Sequence, residues 1–181
     1  MKKLLLVLAL VFATATSAMA QRAGEATVWA DDNDINHSGF YLNPYLGAMA
    51  GDVSTSFGFG AEIGYRYHFG YGINWDILTL GWNSCSDSFE ELSSIRLMTG
   101  VRYNTPQILA GKSMYINFNL GYQFNTYDGD LNGFTYGVGL GVNLSRLVSL
   151  GIAWEGNTKH EDYWDSNLNW GIVGLKLGIN F

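Results

Sequence analysis

Cysteine is all but missing from this 181-residue chain: Cys85 stands alone, so no intrachain disulfide can brace the fold. Proline is nearly as scarce, at Pro44 and Pro106 only, which sets the chain apart from Pro-rich disordered sequence. After the first twenty residues no apolar run exceeds about nine, against the ~20 a spanning helix needs, so spanning helices are excluded. Positive charge is short as well. Ten Lys and Arg face sixteen Asp and Glu, for a formal net charge of −6, which disfavours nucleic acid as a partner. What the chain has instead is glycine, at 23 residues, and aromatics, with 6 Trp, 11 Tyr and 10 Phe. Low proline with abundant aromatics suits strands.

The first residues read as a targeting segment. Lys2 and Lys3 supply a positive end, Leu4 to Phe12 an apolar run, and Ala18-Met19-Ala20 an A-x-A cleavage pattern before Gln21. No cysteine stands near the cleavage point, so a lipid-anchored precursor is not expected. Residues 1–20 are therefore set aside as a cleaved secretory signal, and 21–38 as a flexible lead-in. One domain is left, over 39–181.

That domain alternates. Eight segments show a period of two, the mark of a strand with two chemically different faces. In the fifth, Met114, Ile116, Phe118, Leu120, Tyr122 and Phe124 oppose Tyr115, Asn117, Asn119, Gly121, Gln123 and Asn125. In the sixth, Phe134, Tyr136, Val138, Leu140, Val142 and Leu144 oppose Thr135, Gly137, Gly139, Gly141, Asn143 and Ser145. The third starts cleanly with Ile73, Trp75 and Ile77 opposite Asn74 and Asp76, then blurs at Leu78, Leu80 and Trp82. The seven charges inside these segments are Glu62, Arg66, Asp76, Arg96, Arg102, Glu155 and Lys176, and all fall on the Gly/Asn parity.

Eight such strands close either as a soluble carrier, apolar inside, or as a membrane barrel, apolar outside. Volume decides. About forty mostly large side chains on the apolar parity cannot enter an eight-stranded lumen, which barely holds packed side chains. The small polar parity can. Aromatics also gather at both strand ends: Phe57, Phe59, Tyr122, Phe124, Phe134, Tyr136 and Trp154 at one, Tyr65, Tyr67, Phe69, Tyr103 and Phe181 at the other. Two girdles about an aliphatic waist fit lipid headgroups on either side. The expected fold is all-β, an eight-stranded antiparallel up-and-down transmembrane β-barrel, with a secreted β-sandwich as the alternative.

The connections fall into two sets. Residues 70–72, 104–112 and 145–146 form one; residues 51–55, 83–91, 126–132 and 156–166 form the other. The second set holds Asp52, Asp87, Glu90, Glu91, Asp128, Asp130, Glu161, Asp162 and Asp165 against Lys159 alone. With an even strand count and a secretory signal, both termini lie on the periplasmic side and the acidic connections face outward.

The final strand carries a resemblance. Val173, Leu175, Leu177, Ile179 and Phe181 share the apolar parity, with Lys176 set among leucines on the other. The chain resembles the small eight-stranded outer-membrane β-barrels of Gram-negative bacteria, the group that includes OmpX and the membrane domain of OmpA. In that family the last strand ends in an aromatic with apolar residues at alternate positions before it; Ile179 stands where the family often has Tyr. The resemblance implies a C-terminal signal, Val173 to Phe181, read by the barrel-assembly machinery. It also implies a monomer in contact with outer-membrane lipid and lipopolysaccharide. Pro44 departs from the pattern, because a mid-strand proline loses a ladder bond unless a bulge absorbs it.

A three-residue turn centred on Tyr71 pairs residues whose numbers sum to 142. Arg66 should then meet Asp76, with Arg102 of the next strand extending the contact, and His68 should meet Asn74. Pairing to avoid the cost of isolated buried charge explains this group more simply than an ion relay does. "DGDLNG" (128–133) opens like a calcium loop, but its twelfth position is Gly139 rather than Glu, so a hairpin turn is the better reading and no metal or cofactor is expected. "DDNDIN" (31–36) is weaker still. For catalysis, His37, His68 and His160 are the candidate bases and Ser166 and Cys85 the candidate nucleophiles, and no nucleophile, base and orienting group are forced together. The expected role is a non-enzymatic barrel with a filled polar interior, serving envelope structure or surface interaction. A narrow pore for small solutes is the alternative, and a lipid-modifying enzyme comes third.

Overall fold

The computed structural model describes residues 37–51, 57–86, 91–109, 112–126, 132–161 and 166–181. Eight strands follow one another: β1 Gly39–Gly51, β2 Phe57–Gly70, β3 Ile73–Ser86, β4 Glu91–Leu109, β5 Lys112–Asn125, β6 Gly133–Asn143, β7 Val148–Glu161 and β8 Ser166–Asn180. Each pairs antiparallel with its sequence neighbours, and β1 pairs with β8 to close the barrel. Closure removes every free edge, so all backbone groups of the ladder can be satisfied inside lipid.

The side chains are inverted relative to a soluble protein. Phe118 and Leu140 are each 56% exposed, whereas Arg66 is 7% and Lys176 5% exposed. Large apolar groups cover the outside and the polar parity fills the centre. On the outside, aromatic rings meet at both ends, some across neighbouring strands and some two residues apart on one strand. Phe59–Trp82, Tyr122–Phe124 and Tyr136–Trp154 lie at one end, with centroids 5.6, 5.0 and 5.3 Å apart. Phe40–Tyr65 and Tyr67–Phe69 lie at the end holding the termini, at 5.1 and 5.0 Å.

Two irregularities have sequence causes. The blurred alternation of β3 is a bulge: the β2–β3 register passes from Tyr65↔Leu78 to Arg66↔Asp76, leaving Ile77 over. Ile77 and Leu78 both face outward as a result, and the parity flips so that Thr79, Gly81 and Asn83 point in. At Pro44 the chain takes the other course. The β1–β8 pairing lapses at Asn43 and Pro44, yet Leu42↔Ile179 and Tyr45↔Lys176 keep one offset on both sides. No bulge forms. The seam simply goes without the bond that an N–H at residue 44 would donate across to Leu177.

The connections are shorter than the sequence implies. Residues assigned to 104–112 belong largely to β4 and β5, and much of 83–91 and 156–166 belongs to β3, β4, β7 and β8. Hydrophobic alternation stops where lipid stops; hydrogen bonding between strands does not. Ser145 caps the β6–β7 turn, its Oγ accepting from the N–H of Val148 at 3.1 Å. At the β2–β3 turn Gly70, Tyr71 and Gly72 all take positive φ, 111°, 53° and 79°, which explains the two glycines around the tyrosine. The leader 1–20, the lead-in over 21–36, the first four residues of "DGDLNG" (128–131), and Asp52, Asp87, Glu90, Asp162 and Asp165 lie outside the described residues.

Candidate functional site

Among the described residues, buried charge gathers in the lumen. Antiparallel register sets the neighbours: Glu62 on β2 pairs with Gly81, Gly81 with Arg96 on β4, and Gly151 with Lys176 on β8. Glycine beside each long side chain leaves it room to cross the lumen.

Four of the seven charges form one alternating group. Lys176 Nζ donates to Glu62 Oε1 and Oε2 at 3.1 and 3.0 Å and to Glu155 Oε1 at 2.5 Å. Arg96 pairs with Glu155 through Nη1 and approaches Glu62 Oε1 at 3.5 Å through Nη2. Arg96 is 0% exposed. Two cations and two carboxylates thus neutralise each other across four strands, which is what keeps charge in a low-dielectric interior affordable.

Nearer the termini, Arg66 and Asp76 make a two-pronged pair, Nε to Oδ1 at 2.6 Å and Nη2 to Oδ2 at 3.0 Å. The fork geometry is the strong form of this contact. Arg66 also donates to Asn180 Oδ1 at 3.1 Å, and His68 Nδ1 lies 3.0 Å from Asn74 Oδ1. Arg102 does not extend the pair. Its register partner on β3 is Asn74 while Asp76 faces Gly100, and its guanidinium turns to Asn104 Oδ1 at 3.0 Å and Asn143 Oδ1 at 2.5 Å.

Three tyrosines complete the filling, and the sequence pattern signalled only Tyr115. Tyr41 and Tyr45 of β1 also point inward, where the alternation is too weak to set a parity. Arg66 stacks over Tyr41 at 4.5 Å, Arg102 over Tyr115 at 3.6 Å, and Arg96 lies 5.4 Å from the Tyr45 centroid. The Tyr45 hydroxyl accepts from Arg96, and that of Tyr41 bonds Thr79. Each ring lies over a glycine in register: Tyr41↔Gly64, Tyr45↔Gly60 and Tyr115↔Gly141. A Cβ at Gly60 or Gly64 would sit 2.5 Å from the tyrosine oxygen. Cross-strand Tyr–Gly pairs are therefore the signal that could have found these residues.

The filling leaves little space. The gap ringed by Tyr41, Arg66, Asp76, Arg102 and Asn119 offers about 10 Å³ to water, and a second, beside Tyr45 and Lys176, about 0 Å³. One water needs ~10–15 Å³, so the first gap suits a single small occupant.

A model of the outer membrane protein beta-barrel domain matches residues 5–181. The chain belongs to that family. As an outer-membrane barrel it shares its fold with solved structures at low identity. The outer membrane enzyme PagL is 11% identical, with a TM-score of 0.59 over 78% of this chain and 99% of PagL. Neisserial surface protein A is 13% identical, with a TM-score of 0.54 over 80% and 98%. No curated protein matches this barrel. The last strand of the barrel presents Val173, Leu175 and Leu177 outward, with Ile179 and Phe181 half-buried, and the Phe181 N–H donates to Phe40 O at 2.8 Å.

Proposed function

We propose that this outer-membrane barrel is a sealed, non-enzymatic envelope protein that meets outside partners through the hairpins opposite its termini. One observation carries the reading: Arg96, Lys176, Glu62 and Glu155 brace the lumen from four different strands, consuming one another's charge rather than offering it to a passing ion. The mature protein, refolded and inserted in planar bilayers, should give no stable unitary conductance. Selective, reproducible steps would overturn the sealed reading in favour of a narrow pore.

PagL is an outer membrane enzyme, and the likeness at 11% identity brings its fold here and no residue with it. The His68 ring is spent on Asn74, which supports a structural place for it. In the non-enzymatic reading, His160→Ala leaves the lipid composition of the host membrane unchanged. Lipopolysaccharide and outer-membrane lipid are the surrounding partners in this proposal. The assembly machinery reads the outward parity of β8, Val173 to Phe181, and the barrel works as a monomer.

A further inference from the structure

Among the described residues the lumen holds four cations, Arg66, Arg96, Arg102 and Lys176, against three carboxylates, Glu62, Asp76 and Glu155. Six of these are matched: Arg66 with Asp76, and Arg96 and Lys176 with Glu62 and Glu155. Arg102 is the surplus. It is 4% exposed, and its guanidinium meets two amide oxygens and the face of Tyr115. Those partners satisfy donors and polarise toward the guanidinium, but they supply no negative charge. A surplus cation in a low-dielectric interior is costly unless a counter-charge joins it.

The same residue borders the small gap described above. Arg66, Arg102 and Lys176 line it, against Glu62 and Asp76, so the fixed charges around it sum to one positive. Asn119 lines it too. That side chain is 8% exposed and its Oδ1 has no hydrogen-bond partner. A buried amide atom without a partner calls for an account, and a bound water or ion is one of those open to it. The O and N of an Asn are interchangeable in shape, and the rotated amide puts an N–H where that oxygen stands, on a side chain that borders the gap.

We infer that this gap is a binding site for one small monovalent anion of the halide class, held by Arg102 with help from Arg66, Lys176 and the rotated Asn119 amide. The space decides the class: room for a single water-sized body admits chloride or bromide and rejects phosphate or a carboxylic acid. The ion neutralises the lumen and stiffens the packing between the two ionic groups. Nothing in this depends on whether the barrel conducts.

Bromide carries an anomalous signal that water lacks, which makes the test direct. Crystals of the mature barrel soaked in sodium bromide should show an anomalous peak within hydrogen-bond reach of the Arg102 guanidinium, and Arg102→Gln should lose it. Density without anomalous signal, meaning water, overturns the site, as does a peak that survives in Arg102→Gln. Should that variant fail to fold, the wild type still decides. Chloride at about ten times its dissociation constant should shift the folding equilibrium about elevenfold in urea titrations, relative to the bulky anion gluconate at equal ionic strength. Equal midpoints in the two salts would remove the proposal.

Discussion

Asp76 shows at the scale of one residue why this interior tolerates charge. Both its oxygens are taken by the Arg66 fork, and side-chain exposures of 9% for Arg66 and 5% for Asp76 leave little water to help either ion. Removing one member strands the other, and breaking a buried pair costs ~3–5 kcal/mol, whereas replacing both by apolar groups of similar volume is often neutral. Asp76→Ala should therefore lower the stability of the barrel in lipid vesicles by about 3–5 kcal/mol in urea titrations. The double substitution Arg66→Met, Asp76→Leu should recover most of that loss. The recovery stays incomplete, because Arg66 also holds Asn180 and stacks on Tyr41. Equal destabilisation by the single and double variants would mean that the cost is packing, not charge.

At the scale of the element, the β1–β8 seam carries a gap in the ladder at Asn43 and Pro44. Pro44→Ala restores an N–H facing Leu177, a bond worth ~0.5–1.5 kcal/mol. The same change loosens the unfolded chain by ~0.4–1 kcal/mol. The two nearly cancel, so the urea midpoint should barely move. Hydrogen exchange is the sensitive readout: the new amide at residue 44 should exchange as slowly as the paired amides of Tyr45 and Leu46, and fast exchange there would show that the seam stays open. The β3 bulge belongs to the same scale. Its two adjacent outward residues, Ile77 and Leu78, appeared in the sequence as a lapse in alternation, and the lapse located the extra residue without revealing that the parity beyond it flips.

The whole molecule is a cylinder whose last strand must find its first, and Phe181 sits at that closure with its N–H on Phe40 O. In the proposed assembly role the ring of Phe181 is what the machinery reads, while the backbone bond is what the finished barrel keeps. Phe181→Ala should then cut the fraction of heat-modifiable, folded barrel in cells severalfold, yet leave refolding of purified chain in detergent nearly unchanged. A matching defect in both settings would make Phe181 a stability residue and not an address.

Period-two alternation and the size of the apolar parity by themselves determined most of this protein: eight strands, the inverted faces, the girdles, and the Arg66–Asp76 pairing through a turn at Tyr71. Each of these depends on residues close in sequence or on bulk volume, and both are written along the chain. The partners of Arg102, the inward tyrosines of β1, the lapse at Pro44 and the true lengths of the hairpins came only with the closed barrel. They depend on register between strands far apart in sequence, and on hydrogen bonding that continues past the lipid, where side-chain polarity no longer records it.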